Sequence, residues 1–148
     1  MATKISDLLK GKKTDVIYVR PKDTVHKAIQ AMVNHNIGSV LVVNDDEKLE
    51  GIFTERDVLR QCVRRSDHLK TAKVESVMTT DLIIGFPEDD ADYIMGIMTM
   101  NKIRHIPILS DDEIVGIVSI GDLVNSQLAD VRYENHYLKD YITGKYPV

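Results

Sequence analysis

The chain is short of the residues that several function classes need. One of its 148 residues is cysteine, Cys62, which excludes an intramolecular disulfide and fits a reducing compartment. No apolar run approaches the roughly 18 residues of a membrane span. The opening Met1-Ala-Thr-Lys-Ile lacks the apolar core of a signal peptide. A cytoplasmic protein with no membrane partner is expected. Basic charge is not in excess, since 19 Lys plus Arg stand against 23 Asp plus Glu, a net charge of -4. The basic clusters Lys10-Gly-Lys12-Lys13 and Arg64-Arg65 are short and sit in connections, so nucleic acid is a poor partner. Neither G-x-x-x-x-G-K-[ST] nor G-x-G-x-x-G occurs. The histidines at 26, 35, 68, 105 and 136 show no metal-ligand pairing, and no hydroxyl or thiol has an evident base. Cys62 follows Val58 and Leu59 on an apolar helical stripe and reads as a small buried hydrophobe. A non-catalytic chain that requires no metal is expected.

What the chain does have, it has twice. Apolar residues at 43% and charged residues at 28% suit a globular domain with a real core. Within it, Gly51-Ile-Phe-Thr54-Glu-Arg56-Asp57 is answered by Gly116-Ile-Val-Ser119-Ile-Gly121-Asp122. In each copy a short apolar run leads through a Ser/Thr into an amphipathic segment, which reads as a strand running into a helix capped by Thr54 or Ser119. Such a helix start has free N–H groups and a partial positive charge, suited to an anion such as phosphate. A carboxylate three residues on suits a pair of hydroxyls, as on a ribose. The same Ser/Thr-x-x-Asp is also a helix capping box, in which the acid bonds back to the N-cap amide. Both readings stand at this point.

The rest of the chain repeats around these copies. After a short amphipathic turn at residues 4–10, Thr14-Asp15-Val16-Ile17-Tyr18-Val19 is a strand candidate ended by Pro21. Asp23 or Thr24 caps a helix whose face is Val25, Ala28, Ile29, Met32 and Val33. A break at Asn34-His35-Asn36 precedes a buried strand, Ile37 to Val43; a hairpin at 44–48 returns to the strand 49–53; and a helix follows from about Thr54 to Val63. The order then restarts. Val74-Glu75-Ser76-Val77-Met78 matches the opening turn, Thr80-Asp81-Leu82-Ile83 matches Thr14 to Ile17, and Pro87 and Asp89 stand 66 positions after Pro21 and Asp23. Ala91, Ile94, Met95 and Met98 repeat the helix face, Ile103 to Ile108 the buried strand, and Asp111-Asp112 the hairpin. Met32, Met95 and Met98 read as core filler. The result is a mixed α/β (α+β) fold of tandem β-α-β-β-α units, closed about a pseudo-two-fold axis so that each unit buries its apolar face. The units span 5–63 and 74–127, joined by a polar linker at 64–73 and followed by a tail at 128–148. Tyr133, Tyr137 and Tyr141 form a stripe in that tail, beside Leu138 and Ile142, with Gly144 and Pro147 closing a helix. The stripe packs either on the parent body or on a second subunit.

Strand-Gly-hydrophobic-x-Ser/Thr-x-x-Asp-helix, written twice, with Met78-Thr79 opening the second unit, resembles the CBS (cystathionine β-synthase) domain. The pair resembles a Bateman module over about residues 5–127, and residues 1–148 are read as one such module. The resemblance implies binding of adenine nucleotides in a cleft between the repeats: AMP first, then ADP, ATP, NAD(H) or S-adenosylmethionine. It implies that one site joins Asp122 and Ser119 to Thr14, Ile17, Ile37, Gly38 and Ser39. The other joins Asp57 and Thr54 to Thr80, Ile83, Ile103, Arg104 and His105. It also implies a homodimer formed through helices. The two sites differ in charge, because Gly38-Ser39 is matched by Arg104-His105, and Arg56 by Gly121. A guanidinium pairs well with phosphate. Arg56, Arg104 and His105 are therefore expected to give the Asp57 site the more phosphorylated ligand, and the Asp122 site a nucleoside, a monophosphate or none. The expected function is regulatory: nucleotide sensing passed to an effector protein. The alternative is a ligand-independent partner-binding or dimerisation scaffold whose motifs are helix caps only.

Overall fold

The computed structural model describes residues 3–12 and 15–143, except the side chains of residues 65, 66, 130–134, 140 and 141. Five helices are named here as α1 (Ile5–Gly11), α2 (Val25–His35), α3 (Glu55–Arg65), α4 (Ala91–Asn101) and α5 (Ile120–Ile142). Five strands are β1 (Tyr18–Val19), β2 (Ser39–Val43), β3 (Leu49–Thr54), β4 (His105–Ser110) and β5 (Glu113–Ser119). The fold is the expected mixed α/β tandem repeat.

The chain divides into two compact units that do not follow the repeats. One comprises Met1–Lys13, Glu88–His105 and Val118–Val148; the other Thr14–Pro87 and Ile106–Ile117. The second unit holds the three-stranded sheet in the order β1-β2-β3, with β1 parallel to β2 and β2 antiparallel to β3. Strand β2 is apolar without alternation because both its faces are covered. Val40 and Val42 join Val25, Ala28 and Met32 of α2, with Phe53 and Val74, in one cluster. Leu41 and Val43 pack with Ile52 in another, against Val16, Leu82, Ile114 and Ile117. Each such fully buried aliphatic side chain contributes about 1.5–3 kcal/mol relative to exposure. The glycine of the first motif has a steric reason. A Cβ on Gly51 would lie 2.5 Å from the Met78 Sδ and 2.9 Å from the Thr79 carbonyl oxygen. Thr79 lies that close because it bridges Ile52, donating to and accepting from it at 2.9 and 3.0 Å.

In the first unit α1 is tied to the start of α4. The Ile5 N–H donates to the Asp89 carbonyl at 2.9 Å and the Ala91 N–H to the Thr3 carbonyl at 2.8 Å. Helix α4 buries Ala91, Ile94 and Met98 on the expected face. The α2 cap is Thr24, whose hydroxyl accepts from the Lys27 N–H at 3.1 Å.

Four expectations need correction. Only Tyr18 and Val19 of the 14–19 segment form strand, while Thr14 lies outside the described residues. Its counterpart at 80–83 forms none; a single parallel bridge, Gly85 to Ile108, stands there instead. This bridge lies 66 positions after the Val19–Val42 pair. Leu41 donates its N–H to the Ile17 carbonyl at 3.4 Å, whereas Pro107, 66 positions on, has no N–H to extend the ladder. Val33 is 72% exposed rather than part of the buried α2 face. Cys62 is exposed as well, since α3 buries Asp57 and half-buries Val58 and Gln61 while Leu59, Cys62 and Val63 face outward. Helix α5 runs as one helix through residue 128, where the tail begins.

Candidate functional site

Both motif acids sit at a helix start, three residues after their hydroxyl partner, as the spacing requires. The Asp57 carboxylate accepts from the Thr54 N–H at 3.0 Å and the Thr54 hydroxyl at 3.2 Å. The Asp57 N–H donates back to that hydroxyl at 3.4 Å. The Thr79 hydroxyl lies 3.3 and 3.4 Å from the two carboxylate oxygens, and Arg60 Nη1 lies 3.3 Å from Oδ1. Asp57 is 4% exposed. This is a capping box closed over by a hydroxyl and a guanidinium, with its charge balanced in place.

Asp122 has the same core and a different lid. Its Oδ2 accepts from the Ser119 N–H at 2.9 Å, and its own N–H donates to the Ser119 hydroxyl at 3.1 Å. Lys12, 110 residues earlier, donates from Nζ to the same Oδ2 at 2.9 Å. The carboxylate keeps 30% of its side-chain surface in solvent. Burial pushes this carboxyl up, but the Ser119 N–H, the Lys12 ammonium and the Ser119 hydroxyl outweigh it and hold the group below its ordinary value. It borders a hollow of about 430 Å³ lined by Leu8, Gly11, Lys12, Val118, Asn125 and Ser126 among others. That volume is in the range of small-molecule sites.

The remaining expected residues fall as follows. In the sheet unit, Ser39 is the register partner of Thr54, and the Gly38 carbonyl accepts the Glu55 N–H at 3.1 Å, so both adjoin the first motif. Ile17 and Ile37 pack on the α2 core cluster. Ile83 is half-buried, whereas Thr80 and Arg56 are exposed. In the helical unit, the Arg104 carbonyl accepts the Ile120 N–H at 2.8 Å, matching the Gly38 contact. Arg104 itself is exposed, and Ile103 and His105 are half-buried. Sequence reasoning missed Lys12 and Thr79, the two side chains that reach the motif acids from the opening turn of the other repeat. Their signal was positional: Lys12 stands 66 positions before Met78, the neighbour of Thr79.

The CBS domain pattern matches residues 5–64 and 74–129. The chain belongs to the CBS domain family. A CBS domain-containing protein from Arabidopsis thaliana, CBSX3, mitochondrial, is 40% identical over 153 residues, covering 98% of this chain and 74% of that protein. A CBS-domain containing protein from Agrobacterium tumefaciens shares 34% identity at a TM-score of 0.82, over 86% of this chain and 95% of that one. A protein with CBS domains from Burkholderia ambifaria shares 36% identity at a TM-score of 0.80, over 86% and 96%. CBS domain pairs are regulatory modules. Among the described residues no helix is long and apolar enough to cross a membrane.

Proposed function

We propose that this CBS pair is a non-catalytic sensor of an adenine nucleotide, AMP first, that passes the signal to an effector protein, and that Asp122 is its principal ribose ligand. The observation that carries the reading is the contrast in access. Asp122 is half-exposed beside a hollow of about 430 Å³, while Asp57 is buried under four side-chain and backbone donors. A ribose diol donating to Asp122 would compete with Lys12 for the carboxylate, and the released ammonium is suited to a phosphate. The reading draws on two proteins of the same fold, both at 22% identity. One CBS domain pair was solved with 5′-methylthioadenosine and S-adenosyl-L-methionine (TM-score 0.77), and one from Pyrobaculum aerophilum with AMP (TM-score 0.73). Arg56, Arg104 and His105 remain proposed phosphate contacts, and Ile17, Ile37 and Ile83 proposed neighbours of the base. Pairing with a second copy is supported by exposed Leu59 and Val63 on α3 and by Tyr93 and Met100 on α4. A reducing compartment, the cytoplasm, suits the lone exposed Cys62.

A second reading rests on Asp57. Its complete set of internal partners is that of a structural cap, so the first repeat would serve as scaffold even where the second binds ligand. Thermal unfolding with AMP, ADP, ATP, NAD, NADH and S-adenosylmethionine tests both. At 100 times its dissociation constant a ligand adds about 2.7 kcal/mol, a shift of several degrees. No shift with any of them, in a cooperative transition, would leave the scaffold reading.

A further inference from the structure

Helix α5 continues 13 residues past the end of the family match at 129, to Ile142. Its 23 residues make a rod of about 34 Å. Along it Val124, Leu128, Val131, Asn135, Leu138 and Ile142 recur at alternating spacings of four and three, the heptad rhythm. The described members of this row are exposed: Val124 by 41%, Leu128 by 46%, Leu138 by 53% and Ile142 by 81%, with Asn135 exposed too. The start of α5 packs on α1 and α4, but its apolar row stays exposed out to Ile142, and such a seam is buried when a second helix covers it. We propose that α5, from Val124 onward, pairs with α5 of a second copy of this chain as a parallel two-stranded coiled coil.

Three features choose that occupant and that orientation. In this register Leu128, Asn135 and Ile142 take the a positions and Val124, Val131 and Leu138 the d positions. The choice of two strands rests on the second half of the seam, where Asn135 at a is followed by Leu138 at d and Ile142 at a. The amide pairs with its own copy across the seam and fixes the register, and Leu at d with a β-branched residue at a favours two strands. Charge agrees. Glu134 falls at g and Lys139 at the following e, the spacing that joins opposite charges between parallel chains. An antiparallel pair would set e against e, bringing together the cations Arg132 and Lys139. Gln127, the preceding g residue, already donates to Asp92 at 3.0 Å, so the Glu134–Lys139 pair carries the choice. The seam also decides the placement of the tyrosines, because Tyr133 and Tyr137 fall at f and c and Tyr141 at g, off the a/d row.

Cross-linking of the full chain tests the proposal. In a Cys62→Ser background, Leu138→Cys places a thiol on the seam and Tyr137→Cys places one beside it. Mild oxidation should give covalent dimer at least tenfold faster for Leu138→Cys than for Tyr137→Cys. Adding Ile142→Asp to the Leu138→Cys chain should slow its cross-linking at least tenfold. Equal rates at 138 and 137, or no response to Ile142→Asp, would overturn the proposal, because random collision has neither preference.

Discussion

The two repeats place the same carboxylate at the same helix start and then treat it in opposite ways. Asp57 is roofed by the Thr79 hydroxyl and by Arg60, and is buried. Asp122 is met by the Lys12 ammonium, stays half-exposed and opens on a hollow. Arg60 lies on the same helix as Asp57, but the Thr79 hydroxyl and the Lys12 ammonium each reach the acid from near the start of the other repeat, one a short hydroxyl and the other a long flexible cation. A hydroxyl against a buried carboxylate makes a fixed hydrogen bond. A half-exposed ion pair is weak, worth about 0–1 kcal/mol, because water screens it and the lysine chain loses entropy in making it. The comparison teaches that one capping motif can be sealed in one copy and left accessible in the other. The difference lies in residues outside the motif.

The comparison is broken most forcefully by removing each acid. Asp57→Ala leaves the Thr54 N–H and the Thr79 hydroxyl without their acceptor beside a buried gap, while the exposed Arg60 turns to water, and should cost about 1–3 kcal/mol. Asp122→Ala removes a half-exposed cap and should cost about 0.5–1 kcal/mol. Chemical denaturation of both variants measures the ratio, and equal losses would erase the distinction between roof and lid. Acid sharpens the contrast further. The Asp122 carboxyl is held below its ordinary value in the folded chain, so its stabilisation is present above the unfolded value of about 4 and is lost as pH falls through the folded value. Between about pH 5 and pH 3 the melting temperature of Lys12→Met should therefore fall less steeply than that of the parent. A parallel decline would show that Lys12 does not hold the carboxyl down. The smallest effect concerns the helix ends. Asn36 and Lys102 close α2 and α4 in the left-handed region at φ 52° and 55°. Asn tolerates that region and Lys does not, so Lys102→Gly should stabilise by about 0.5 kcal/mol and Asn36→Gly by less. Matched melting curves of the two variants check this.

Much of this plan was legible in the residues. An offset of 66 positions, reduced to 65 after the shorter second hairpin, carried the helices, the hairpins and both motifs, because spacing at helical period reports the buried face directly. Helix α4 buries the expected Ala91, Ile94 and Met98. What failed did so for tertiary reasons. Strand β1 is two residues long, and its counterpart shrinks to a single bridge because Pro107 withholds the N–H that Leu41 supplies to Ile17 in the first copy. Cys62 lies on a real apolar stripe, but Leu59 and Val63 of that stripe stand exposed among the described residues, so periodicity marked a face without telling which way it points. By sequence Lys12 reads as part of a basic connection. Its partner is 110 residues away, and only the fold brings them together.

The central claim is that Asp122 takes the ligand and Asp57 holds the fold. Its most direct test is the AMP-induced change in melting temperature of Asp57→Asn and Asp122→Asn beside the parent chain. The account predicts that Asp57→Asn starts lower and keeps the AMP shift, whereas Asp122→Asn starts near the parent and loses it. An AMP shift that survives in Asp122→Asn and vanishes in Asp57→Asn would contradict it.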